Sequence, residues 1–400
     1  MSQKKIFNYF LITILISSSI YFLWLVKLLN DFPWRYVFTD WIINYKGGYI
    51  RRGLLGEISI NLASFFDSNI KYIFFLIHLL IYLTFHLIFY KFFTHFKKNY
   101  IFYFFCFSPL VFLYPIATFE AFARKEIFYI TFFLINCYFL VRTNNRNLVF
   151  ISTNFFILLS YFIHESSLFF IGFFYFSYFI FLKKNNYKRK FSEFFLIFII
   201  FLILIYFTFI PVTDEKISDM VFFVTQNFYK VTEFAGAISF LNNDLSDRIL
   251  FWKDNSVSAE HIFRHILYLH FLIIFLYLLN INNFFKSSKY YLIFTLLTFF
   301  TPIVLFLIAN DWGRFVYILY NFCLIFTFYC LYDDENIFIK INELTFVKNL
   351  NYRLKLFLTV SYISLWTPKL LYFEKVELFA LINVIFELIK YSIKYTNLIL

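Results

Sequence analysis

With 400 residues, of which 62% are hydrophobic, 26% aromatic and only 15% charged, and with a mean hydropathy of +0.72, the chain carries more apolar surface than a water-soluble core hides. Its apolar runs are unbroken and lack period-two alternation, which excludes a membrane β-barrel and leaves helices solvated by lipid. A net charge of +12, a pI near 9.2, 68 Phe and 32 Tyr call for no nucleic-acid partner, because cytoplasmic loops of membrane proteins are basic anyway and large aromatics serve as lipid-facing bulk.

At roughly 20 apolar residues per crossing, the sequence predicts an all-α polytopic membrane protein with about ten to twelve transmembrane helices. The predicted spans are 6–29, 70–93, 101–116, 126–141, 148–163, 166–182, 192–211, 262–281, 290–309, 315–332, 355–372 and 376–393. The first follows Lys4 and Lys5, is long and lacks a small-residue cleavage site, so it is expected to stay as an anchor. No internal repeat or linker divides residues 1–400, which read as one transmembrane domain.

With the amino terminus in the cytoplasm, alternate loops place 20 of the 36 basic residues but only six of the 24 acids on the cytoplasmic side. That bias satisfies the positive-inside rule, and the inverse orientation violates it. The cytoplasmic loops are then short Lys/Asn runs such as 183–190, suited to orientation and headgroup contact. Loops with mixed charge, Gly, Pro, Trp or His fall on the other, periplasmic or extracellular, face: 30–69, 117–125, 164–165, 212–261 and 310–314.

In the first outer loop, 30–69, Gly47 and Gly48 allow a sharp turn. The apolar residues at 50, 54, 55, 58, 62, 65 and 66 then recur with helical period, which predicts an interfacial helix with Arg51 and Arg52 in its first turn. Two guanidinium forks at a helix start suit a phosphate or diphosphate, with Lys46 nearby; lipid headgroups are the alternative occupant. Asp31 and Asp40 precede this element as candidate general bases.

Further along, Glu120 and Arg124 stand at i,i+4, followed by Lys125 and Glu126. They read as a structural pair or as a second cationic contact for phosphate. His164 and Glu165 cap a tight hairpin between two apolar spans, where ionisable groups are costly and burial suits acid/base work. Asp311 and Arg314 stand at i,i+3 around Trp312 and Gly313, a salt bridge or an acid beside a phosphate contact. The long outer loop 212–261 is acidic, and its stretch 219–240 predicts a helix able to cover a cavity.

His261 and His265 have zinc-compatible spacing, but no HExxH pattern or third ligand accompanies them, so no metal or other cofactor is expected. Cys106, Cys137, Cys323 and Cys330 all fall inside predicted spans and suggest neither disulfides nor a metal cluster. The absence of a Walker or other Gly-rich nucleotide loop argues against an ATP-driven pump.

A substrate with an anionic head and a lipid tail fits cations gathered beside apolar spans. The layout resembles bacterial O-antigen and capsule repeat-unit polymerases and, more distantly, C-class membrane glycosyltransferases, on IHESS at 163–167, KGGYIRRG at 46–53 and DWGRF at 311–315. The resemblance implies a glycosyltransferase or polysaccharide polymerase of a bacterial inner membrane, acting at the periplasmic face on polyprenyl-phosphate- or diphosphate-linked sugars. It implies lipid-linked donor and acceptor, membrane lipids and a chain-length regulator or other polysaccharide-assembly proteins as partners. Arg51, Arg52, Lys46, Arg124, Lys125, Asp311 and Arg314 would bind substrate, and Asp40, His164 and Glu165 would serve catalysis. A transporter or flippase of a lipid-linked or anionic solute is the alternative.

Overall fold

The computed structural model describes residues 3–30, 36–95, 105–117, 123–228, 236–242, 298–308 and 311–332, with separate short stretches from 351 onward. Among the described residues five helices are long and apolar enough to cross a membrane: Ile70–Phe92, Arg146–Ile163, Glu165–Lys184, Phe191–Phe209 and Trp312–Leu331. With the further helices Gln3–Asn30 and Glu126–Arg142, they make the chain an all-α polytopic membrane protein. The predicted span 262–281 and the His261/His265 pair lie outside the described residues, as do Asp31 and Glu120.

Trp312–Leu331 is the central helix, with 89% of its apolar window buried against Glu126–Arg142 and Ile171–Lys184. Phe191–Phe209 stands at the margin with only 11% buried, and Phe195, Phe198, Phe201 and Phe209 face outward as lipid contacts do. The abundant Phe is thus not only lipid-facing bulk. Phe322 stacks on Phe133 with ring centroids 4.7 Å apart and a 12° interplanar angle, and tilts against Phe170 and Phe173, so aromatic interdigitation fills the centre. Helix starts follow local chemistry: Asn145 accepts a hydrogen bond from the Leu148 N–H, and Thr213 from that of Lys216.

The predicted span 101–116 is not one helix where it is described. Ser108 caps a one-turn helix, Pro109–Phe112, and a second turn, Tyr114–Ala117, follows with Pro115 inside it. Irregular backbone at membrane depth survives only where protein satisfies its polar groups. Here Tyr320 Oη donates to Phe105 O at 2.9 Å, Asn321 Nδ2 to Leu110 O at 2.9 Å, Ser17 Oγ to Phe112 O at 3.3 Å, and Trp24 Nε1 to Ile116 O at 2.9 Å. The broken segment is held from both sides by the first and central helices.

Near the carboxyl end, Trp366 and Thr367 pair antiparallel with Leu378 and Glu377. The predicted spans 355–372 and 376–393 are therefore not continuous helices; Thr367 precedes Pro368, whose ring disfavours helical backbone in the residue before it. The helix expected within the 212–261 loop runs Asp214–Asn227 rather than from 219 to 240, because Thr213 supplies an N-cap that apolar periodicity alone does not reveal. Cys106, Cys137, Cys323 and Cys330 are all free thiols.

Candidate functional site

The loop after Tyr36–Trp41 turns at Gly48, whose φ of +96° is open to glycine at no steric cost. The helix expected after this turn begins only at Leu54, with Gly53 at its N-cap. Arg51 and Arg52 therefore precede its first turn, correcting the expected placement. Arg52 itself has a φ of +66°, which costs a non-glycine residue about 1–2 kcal/mol. Lys125 Nζ holds it there by donating to Arg52 O at 2.9 Å.

Lys125 comes from a second left-handed turn. Ala123 has a φ of +56°, and its carbonyl accepts from Trp41 Nε1 at 2.9 Å and from His78 Nε2 at 2.8 Å. His78 Nδ1 in turn accepts from Tyr21 Oη at 2.7 Å. These donors from the bundle interior fix the strand of chain that delivers Lys125 and Glu126.

Around these turns the structure gathers one buried ionic cluster. Arg52 grips Glu165 through Nε at 2.8 and 2.7 Å and Nη2 at 2.5 Å, while its Nη1 lies 3.7 Å from Asp40 Oδ1. Lys125 Nζ lies 3.8 Å from the same Asp40 oxygen. On the other side, Arg314 reaches Glu126 Oε1 at 3.2 Å and Asp311 Oδ2 at 3.0 Å. His164 stands between the two halves, with Nε2 3.8 Å from Glu126 Oε1 and Nδ1 3.6 Å from Glu165 Oε2.

Burial shapes the charges. It is the largest influence on the Asp40 carboxyl and pushes it up, yet Lys125 and Arg52 outweigh it and hold the group below the usual carboxylate range. Burial pushes the Lys125 ammonium down to about 8, against the opposing pull of Asp40. Burial and Arg52 push the His164 imidazole down to about 4, so it is neutral at pH 7. Its Nδ1 accepts from the Ser166 N–H at 3.1 Å and the Ser166 hydroxyl at 2.8 Å, which leaves the ring proton on Nε2, toward Glu126.

Asp40, Arg52, Lys125, His164, Glu165, Asp311 and Arg314 thus come together as neighbours in space from separate segments of chain. Arg51 stands at the edge: Nη2 donates to Leu241 O at 2.7 Å, and its buried Nε has no hydrogen-bond partner. Arg124 lies over the Tyr36 ring at 4.5 Å and contributes charge to Asp40 from a distance. Lys46 is not drawn in; it pairs with Glu57 at 2.9 Å. Glu126 is the member that the sequence reading gave no role, although an acid opening a span directly after two cations was a signal for it. No group of three or more His, Cys, Asp or Glu side chains with metal-holding geometry occurs among the described residues.

Asp40 Oδ1, Glu126 Oε2, Arg51 Nε and Arg314 Nε are all buried without a hydrogen-bond partner. Such atoms are costly to leave unmade, and together they offer both donors and acceptors to an incoming polar group. Comparison with family models, curated proteins and solved structures found no match for this chain.

Proposed function

We propose that the chain is a membrane glycosyltransferase or polysaccharide repeat-unit polymerase that acts on a polyprenyl-phosphate- or diphosphate-linked sugar at the periplasmic face of a bacterial inner membrane. The supporting observation is the convergence of Arg52, Lys125 and Arg314 with four carboxylates in one buried cluster at one end of the helix bundle. A folding role alone accounts poorly for it, because buried ion networks are on balance no more stable than apolar packing. Arg52 Nη1, 3.7 Å from Asp40 Oδ1, and the unpartnered Arg51 Nε would supply donors to a phosphate, with Lys125 as a third charge.

In the transfer, an acceptor hydroxyl attacks the anomeric carbon, the bond from that carbon to the phosphate oxygen breaks, and its electron pair leaves with the phosphate. Arg51, Arg52 and Lys125 stabilise that leaving charge. Asp40 holds the two nearest cations in register, and Glu165, gripped by Arg52, orients its fork. As phosphate oxygens engage Arg52 and Lys125, their hold on the Asp40 proton affinity weakens.

Replacing Arg52 by Ala in cells and measuring lipid-linked precursor and polymer tests the reading: unextended precursor accumulates and polymer falls. Normal polymer and precursor in that variant would contradict it. The broken segment 105–117 favours a second reading, a transporter or flippase, because discontinuous helices line transport sites. A flippase defect instead leaves the precursor in the cytoplasmic leaflet, which a leaflet-selective label reads directly.

A further inference from the structure

The cluster is electrically lopsided. On the Arg52 side two acids, Asp40 and Glu165, face Arg52 and Lys125, with Arg51 adjacent. On the Arg314 side two acids, Glu126 and Asp311, share one cation. The first half has positive charge to spare for a phosphate, and the second has carboxylate to spare for a proton donor such as a hydroxyl.

The carboxylates also differ in what their oxygens face. Both Glu165 oxygens are occupied by Arg52. The unpartnered oxygen of Asp40, Oδ1, is the one that lies between two cations at 3.7 and 3.8 Å. Glu126 is bound by Arg314 through Oε1 alone, and its Oε2 is buried with no hydrogen-bond partner. Asp311 keeps 21% of its side chain exposed, whereas only 2% of Glu126 is accessible. A carboxylate oxygen with no hydrogen-bond partner of its own can accept a proton from a hydroxyl brought within hydrogen-bond reach.

We infer that Glu126 Oε2 is the proton acceptor for the attacking hydroxyl, and that Glu126, Arg314, Asp311 and His164 form the subsite that holds the acceptor. The inference rests on the transferase reading above. The hydroxyl oxygen forms the new bond to the anomeric carbon, its proton goes to Glu126 Oε2, and the broken bond's electron pair leaves with the phosphate on Arg52 and Lys125. His164 Nε2–H faces the other carboxylate oxygen and Ser166 fixes its tautomer, while Tyr129 Oη, 3.3 Å from Ser166 Oγ, closes the group from the same helix as Glu126.

The test uses the full-length purified protein with two readouts: binding of polyprenyl diphosphate, and turnover of polyprenyl-diphosphate-linked glycan extracted from the host membrane. Glu126→Gln is expected to bind polyprenyl diphosphate as the wild type does and to lose about 100-fold or more in turnover, with Glu126→Asp recovering part of it. Turnover by Glu126→Gln within a few-fold of wild type overturns the inference. So does loss of lipid binding and turnover together without recovery in Glu126→Asp, which makes Glu126 structural. Arg52→Ala separates the two levels: if it binds and turns over normally, the transferase reading itself fails, whatever Glu126 does.

Discussion

At the end of the bundle opposite the Asp40–Glu126 cluster, Arg146 Nε and Nη2 hold Glu193 Oε1 and Oε2 at 2.7 Å each. The 18-residue helix Arg146–Ile163 separates this pair from His164 by about 27 Å at 1.5 Å per residue. The pair closes on itself: one fork, one carboxylate, two parallel hydrogen bonds. The cluster around Arg52 and Arg314 does not, since it gathers four acids and three cations and leaves Asp40 Oδ1, Glu126 Oε2 and Arg314 Nε buried without hydrogen bonds. A self-sufficient pair is explained by staking two helix ends together. The unsatisfied network is not explained that way, and under the function proposed above a ligand would complete it.

The contrast breaks most sharply at Arg52. Arg52→Ala strands buried Glu165 and Asp40, which costs on the order of 3–5 kcal/mol in unfolding stability, and transfer activity is expected to vanish. Arg52→Lys keeps the charge but loses the fork, so thermal unfolding in detergent should largely recover while turnover does not. Equal activity in Arg52→Lys and wild type would place Arg52 among structural cations.

Next in size is acid sensitivity. His164 binds its proton only near pH 4 in the folded chain, against an ordinary value of 6.5. Between those values the unfolded chain holds a proton the folded chain lacks, so stability falls as pH drops, by on the order of 3 kcal/mol for this group. Asp40, whose carboxyl is also held low, adds in the same direction below its ordinary value. The melting temperature should decline from pH 6.5 to pH 4 and decline less in His164→Gln; an identical slope in both would remove His164 as the cause.

Alkaline pH sharpens the phosphate side. Lys125 loses its charge above about 8, so affinity for polyprenyl diphosphate should weaken as pH rises through that value. Asp40→Asn removes the carboxylate that supports the ammonium and should move the midpoint downward, readable in a pH series of binding. The smallest effect belongs to the far end: Arg146→Ala leaves Glu193 without its fork, should lower unfolding stability by about 1–3 kcal/mol and leave lipid binding unchanged.

Much of this was legible in the sequence for physical reasons. Unbroken apolar runs fix the long helices, and ionisable residues that interrupt them, such as His164, Glu165 and Arg314, stand out because lipid penalises them. What was not legible depends on distance between segments. Nothing in the order of residues pairs Arg52 with Glu165, and the left-handed turns at Arg52 and Ala123 exist only because Lys125, Trp41 and His78 clamp them. Lys46 was expected beside the arginines and instead meets Glu57, since the helix after Gly53 swings that acid back over the turn. The break at Ser108–Pro109 was marked by proline, yet hydropathy averaging hid it inside a span.

The most direct test compares the two ends in one binding experiment, titrating polyprenyl diphosphate into purified wild-type protein, Arg52→Ala and Arg146→Ala at pH 7. The cluster as a phosphate site predicts at least tenfold weaker binding for Arg52→Ala and wild-type affinity for Arg146→Ala. Equal affinity in all three proteins would contradict it.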